Sequence, residues 1–223
     1  MSEGRTAIVF GVSGSVGKSL LFQLATDPDY TSVVVFTKKM LPSGNSKIAI
    51  HVVDFENLQS YMHLIKGNDL FCSYGKEKVF FESLERKENI SVKTLIKLAN
   101  IAKNNQVEGF FCMVPKNTFN RLFFFLRKVT VLEKAISVMR FERYAFLKPT
   151  FIIRGSSSYI QAEPFSLQLK KFIGSVPVGK LRNIFPIDID IIAKAMVKIA
   201  KTKMGKKFYN SYELKNISDD HEV

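Results

Sequence analysis

The sequence has no tryptophan, only two cysteines and only three histidines among 223 residues, and each scarcity excludes a class of protein. Cys72 and Cys112 are too few to form the disulfide framework of a small secreted domain. His51 and His63 have no companions at metal-ligand spacing, so the pattern requires no metal. No apolar run approaches the roughly 20 residues that span a bilayer. No apolar signal-type stretch precedes the first strand, and a cytoplasmic, reducing compartment is the expectation. Carboxylates are also scarce: 20 Asp and Glu face 33 Lys and Arg, a net charge of +13. The lysines are scattered, and no zinc-finger, RNP or basic-zipper pattern appears. The charge therefore favours anionic partners in general and does not support nucleic acid in particular.

Hydrophobic residues make up 46% of the chain, with 20 Phe, enough for one sizeable α/β core. The length is too short for two domains of ordinary size. The informative stretch lies near the start. Residues 6–10, TAIVF, read as a buried strand, and Gly11-Val-Ser-Gly14-Ser-Val-Gly17 reads as a turn. Val16, Leu20, Leu21 and Leu24 then recur at helical spacing. Strand, glycine turn and helix in that order suit a dinucleotide pyrophosphate. Gly11 can take positive φ, Gly14 lets the backbone approach phosphate, and Gly17 lets the helix pack closely. The helix N-terminus offers N–H groups and a positive dipole end to the anion. Gly17-Lys18-Ser19 also resembles a triphosphate loop, but that loop needs glycine where Val12 stands.

Further along, residues 32–36, 47–53, 69–73, 109–114 and 144–148 read as strands. Residues 57–66, 81–104, 121–140 and 188–201 read as helices, with Leu122, Phe125, Leu126, Val129, Leu132 and Ile136 on one face of the third. Residues 156–158 fall in a loop, 164–172 in a helical piece, and 205–210 may add a last strand. Strands alternating with helices predict a doubly wound parallel sheet, a Rossmann fold, with ligand at the C-terminal strand ends where the strand order reverses. One domain over residues 1–215 is expected, with small substrate-side or partner-side elements near its end and a polar tail over 216–223.

Several segments together resemble a family. The glycine turn, the basic pair Lys38-Lys39 after the second strand, Asp54 after the third, and Phe71-Cys-Ser-Tyr-Gly75 are similar to the atypical short-chain dehydrogenase/reductases. The resemblance is to the small NAD(P)-binding branch of Tat-interacting tumour-suppressor-like and NmrA-like proteins. Leu147-Lys-Pro149 with Gly155, and residues 186–193, resemble its substrate-side turn and its late helix. The resemblance implies pyrophosphate contacts at Ser13, Gly14, Ser15 and Val16, and a 2′-phosphate contact from Lys38 and Lys39. It places Asp54 and Phe55 near the adenine, and Ser73, Tyr74 and Gly75 near the ribose. Cations after the second strand suit the extra phosphate of NADP(H) over NAD(H), where an acidic residue would bind ribose hydroxyls.

The family's chemistry uses a Ser at the end of the fifth strand and a Tyr followed four residues later by a Lys. Here the serine slot is Val114, the tyrosine slot Phe125 and the lysine slot Val129; a slip of one gives Phe124 and Lys128. A phenylalanine ring exchanges no proton. The resemblance with this departure implies an NADP(H)-binding protein of reductase ancestry lacking the usual proton relay, a sensor or interaction module. The alternative is an NADPH-dependent oxidoreductase using another donor, Tyr74 or water. Cys72 and Cys112 fall near the ends of neighbouring strands and read as small buried thiols. Phe123 and Phe124 lie off the core stripe of their helix and, if exposed, would mark a partner or homodimer surface.

Overall fold

The computed structural model describes residues 4–42, 44–73, 90–114, 122–153, 186–202 and 207–219. Strand β1 (Arg5–Phe10) is an interior strand, third in a seven-stranded sheet of order β3-β2-β1-β4-β5-β6-β9. Its neighbours are β2 (Tyr30–Thr37) and β4 (Asp69–Ser73), both parallel to it. The remaining strands are β3 (Ile48–Val52), β5 (Gly109–Met113), β6 (Arg143–Lys148) and β9 (Phe208–Asn210), and every pairing is parallel. β1 reads as a continuous apolar run because both its faces are covered. Ala7 and Val9 enter one core, Ile8 and Phe10 the other.

The first core is closed by α1 (Ser15–Thr26), α4 (Ile189–Lys201) and α5 (Ser211–Asp219) through Leu20, Leu24, Ile192, Met196 and Leu214. The second is closed by α2 (Val92–Asn104) and α3 (Leu122–Val138) through Leu95, Leu98, Val129, Leu132 and Ile136. Helices on both faces of a parallel sheet make the doubly wound fold that the alternation of elements predicts. The order reverses between β1 and β4, the switch point at whose C-terminal strand ends doubly wound folds place their ligand crevice.

Four expectations need correction. Residues 57–66 form a 3-10 helix (Leu58–Leu64), broken at Tyr61 with φ −131° and ψ 15°, in place of an α-helix. The Tyr61 hydroxyl donates to the Asp54 carbonyl at 3.1 Å, and Asn105 Nδ2 donates to the carbonyls of Met62 and Ile65 at 2.8 Å each. Pinned at both ends, the short connection tightens. The helix expected over 81–104 does not run unbroken, because Ser91 is the N-cap of α2, its Oγ accepting from the Thr94 amide at 3.0 Å. A two-stranded parallel sheet of β7 (Phe151–Ile153) and β8 (Pro186–Asp188) was not anticipated. Neither was α5, which crosses the expected tail boundary at 216 and buries Leu214 and Ser218. The loop at 156–158 and the helical piece at 164–172 lie outside the described residues.

The N-terminal strand ends are tied by one fully buried carboxylate. Asp69 accepts from Arg5 Nε at 3.0 Å, from the Tyr30 hydroxyl at 2.7 Å and from Arg143 at 3.3 Å. Arg143 also pairs with Glu108 at 2.8 Å. Burial, then Asp69, drives the Tyr30 phenol far above its ordinary value. This network joins β1, β2, β4 and β6 at the edge opposite the crevice.

Candidate functional site

The crevice is built around the turn from β1 into α1. Gly11 leaves the strand at φ 90°, a left-handed conformation that a side chain would strain. Gly17 lies in the first turns of α1, directly over that turn. A Cβ there would stand 2.4 Å from the Gly11 carbonyl oxygen and 2.7 Å from Val12 Cα. Both obstacles are backbone, so the helix could not sit this close with any other residue. Gly14 is the N-cap, with φ −78° and ψ 163°; it supplies no side-chain cap, and the first turn carries no acidic residue. The positive end of the helix dipole is therefore not neutralised by a carboxylate of its own first turn. Ser13 is half-buried, while Ser15 and Val16 are buried.

Lys38 and Lys39 are both exposed immediately after β2. Buried Thr37 shapes their turn: its Oγ1 donates to the Lys39 carbonyl at 3.0 Å, and the Lys39 amide lies 3.3 Å from the same oxygen. Lys38 Nζ stands 5.4 Å over the ring of Phe55, so the ends of β2 and β3 meet. The Phe55 ring is buried 5.7 Å from that of Phe10, which makes it a floor under Lys38. Asp54 is exposed, and its Oδ1 accepts from the Glu56 amide at 3.0 Å. Burial, then Asp54 and Glu56, pushes the Tyr61 phenol up to about 12.

Ser73 closes β4, in register with Met113 of β5; its side chain, with Tyr74 and Gly75, lies outside the described residues. Val114 follows β5, buried, its amide donating to the Leu147 carbonyl at 2.8 Å. Val129 is buried in the same core as Val114 and Phe146. Phe125 lies within α3, and its side chain, with those of Phe123 and Phe124, is outside the description. Cys72 and Cys112 are register partners on β4 and β5, both free and buried. Burial, then Cys112, raises the Cys72 thiol well above its ordinary value, and burial, then Glu133, does the same for Cys112.

Two pairs near the crevice escaped sequence reasoning. Ser19 Oγ donates to Asp190 at 2.5 Å, tying α1 to α4 beside the glycine turn. Glu133 of α3 pairs with Lys148 at the end of β6 at 2.5 Å, and Lys148 Nζ also stands 4.4 Å over the Phe208 ring. These partners lie far apart along the chain and share no fixed spacing that could have signalled them. Among the described residues no group of His, Cys, Asp and Glu could hold a metal ion, and no helix is long and apolar enough to cross a membrane.

A scan against protein-family models matches none, and a search of curated proteins matches none. Solved structures do match. Helicobacter pylori ADP-L-glycero-D-manno-heptose-6-epimerase is 16% identical with TM-score 0.61, over 96% of this chain and 80% of that one. Yeast methylglyoxal/isovaleraldehyde reductase, complexed with NADPH, is 15% identical with TM-score 0.59, over 92% and 78%. A short-chain dehydrogenase/reductase superfamily protein from Agrobacterium tumefaciens with bound NAD is 16% identical with TM-score 0.60, over 92% and 77%. Strand order and these likenesses agree on the fold: the chain is a parallel α/β sheet of the Rossmann type, the fold of these solved structures.

Proposed function

We propose that the protein binds NADP(H) across the C-terminal ends of β1 to β5 and works as a sensor or interaction module, without the proton relay of the reductases it resembles. The observation that carries the binding half is the β1–α1 turn. Gly11 at positive φ and Gly17 packed directly against the Gly11 carbonyl hold the N-terminus of α1 close to the end of β1. The backbone from Ser13 to Val16 and the N-terminus of α1 would hold the pyrophosphate. Lys38 and Lys39 would meet the 2′-phosphate, Asp54 the adenine, and Ser73 to Gly75 the ribose. Phe55, buried under Lys38, would support that end from below and not stack on the base. When bound, NADPH supplies a hydride; this chain's residues would orient it.

The loss of the relay is supported by residue chemistry. A hydride reaching a carbonyl carbon builds charge on oxygen, and an acid placed there contributes about 10²–10⁴-fold. Val114, Phe125 and Val129 can neither donate nor accept that proton. The test loads the protein with NADPH, follows its fluorescence to establish binding, then adds aldehydes, ketones and quinones. Bound NADPH should persist. Rapid oxidation across the panel would overturn the reading and move attention to Tyr74 or water as donor.

A further inference from the structure

The two covered faces of the sheet differ in charge. On the α1, α4 and α5 face three helical carboxylates, Asp190, Glu213 and Asp219, stand among five lysines, and Lys201 pairs with Asp27 and Asp29 at 2.9 Å each. The α2 and α3 face has a single helical carboxylate. Helix α2 carries Lys93, Lys97 and Lys103 and no acidic residue. Helix α3 carries one carboxylate, Glu133, already engaged by Lys148. Lys93, Lys97 and Lys134 are exposed and make no ion pair among the described residues.

The two helices run parallel, as consecutive crossovers onto one face must. Lys103 Nζ donates to the Arg140 carbonyl at 2.9 Å, just beyond the end of α3. That contact sets their register to within about a turn, so Lys97 and Lys134 lie within about a turn of each other along the helices. Flanking Lys134 on the outer stripe of α3 are Val131, 50% exposed, and Val138, 75% exposed. Two exposed valines at i and i+7, with Lys134 between them and cations on the neighbouring helix, form an elongated surface that is both apolar and positive.

We infer that this α2/α3 face docks an acidic protein partner: an amphipathic helix with an apolar stripe for Val131 and Val138 and carboxylates for Lys93, Lys97, Lys134 and Arg140. Charge decides among occupants. A second copy brought face to face would set lysine against lysine, which disfavours a two-fold pair here. A glutamate-bearing helix matches both the exposed valines and the cations, the usual way a helix is read by a surface of this shape. The inference extends the interaction-module reading but does not use the crevice, so the two can fail separately.

The test measures binding of a synthetic helix with leucine on one face and glutamate on its flanks. Comparison ligands are the same helix with lysine for glutamate, poly(U) RNA and phosphatidylserine vesicles. Lys97→Glu with Lys134→Glu should weaken the acidic helix at least about tenfold while leaving the melting temperature and NADPH affinity unchanged. Lys194→Glu with Lys215→Glu, on the opposite face, should leave it within about twofold. Hydrogen exchange should show protection by the acidic helix over α2 and α3. Equal losses from both reversals, protection elsewhere, tighter binding of RNA or vesicles than of the acidic helix, or a two-fold dimer closed through α2 and α3 would each overturn the inference.

Discussion

Gly17→Ala is the smallest change that reaches the centre of this structure. The added carbon would stand 2.4 Å from the Gly11 oxygen and 2.7 Å from Val12 Cα. Neither atom can rotate away. Reaching even a tight contact of about 3.0–3.4 Å requires the start of α1 to move outward by about 0.6–1 Å. The helix resists, because Val16, Leu20 and Leu24 are buried against the sheet and Ser19 is tied to Asp190. Overpacking of this kind costs about 1–3 kcal/mol, so the melting temperature should fall by about 2–12 °C in a domain of this size. The same shift would move the N-terminus of α1 off the proposed pyrophosphate position, and NADPH affinity should fall by at least about tenfold. Gly44→Ala, where an added Cβ meets nothing within 4 Å, is the internal control and should change neither quantity. Differential scanning calorimetry and NADPH fluorescence titration read both effects. A Gly17→Ala protein that melts within a degree of the parent and binds NADPH equally well would refute the close-packing argument.

Changing both Lys38 and Lys39 to Ala should remove most of any preference for NADPH over NADH, together with its salt dependence. Charge-assisted contacts are worth about 1.5–3 kcal/mol each before screening, and a preference that survives the double change would contradict their assignment. Asp69→Asn should destabilise by about 3–5 kcal/mol, nearer the lower figure because Arg5 and Arg143 keep some contact with water; urea unfolding measures it, and a loss below 1 kcal/mol would show that the buried network is dispensable. Burial and Asp69 raise the Tyr30 pKa on folding, so that stability is fully present below the ordinary phenol value of about 10 and declines as pH rises above it; urea midpoints that do not fall on alkaline titration would contradict this. Phe125→Tyr alone should not create carbonyl reduction, since a phenol without its lysine and serine keeps a pKa near 10, whereas Val114→Ser, Phe125→Tyr and Val129→Lys together should raise NADPH oxidation on a carbonyl panel; a triple variant no faster than Phe125→Tyr would contradict the slot assignment.

The fold was legible wherever the signal is local. A β-branched run, three glycines and a helical stripe describe β1 through α1 almost to the residue, and apolar runs bounded by Gly, Pro or Asp located β4, β5 and β6. Sequence missed what long-range partners decide. The 3-10 helix is set by Asn105, which lies 43 residues from the Met62 carbonyl it caps. β7 and β8 are three-residue strands that exist only through each other. Helix α5 does carry a local signal: Asn210 and Glu213 cap each other, Oδ1 accepting at 3.1 Å and Oε2 at 2.9 Å, the reciprocal pattern of a capping box. At the site, the glycine turn and the basic pair were readable because they are contiguous. The burial of Phe55 beneath Lys38 was not, since it depends on β2 and β3 ending side by side.

The central claim, that the crevice at the ends of β1 to β5 takes NADP(H), meets its most direct test in calorimetric titration of the unmodified protein with NADPH and, separately, with NADH. The account predicts one site per chain, with NADPH bound about tenfold or more tightly and the difference shrinking as salt is raised. No heat with either nucleotide, or equal affinity for both at low salt, would contradict it.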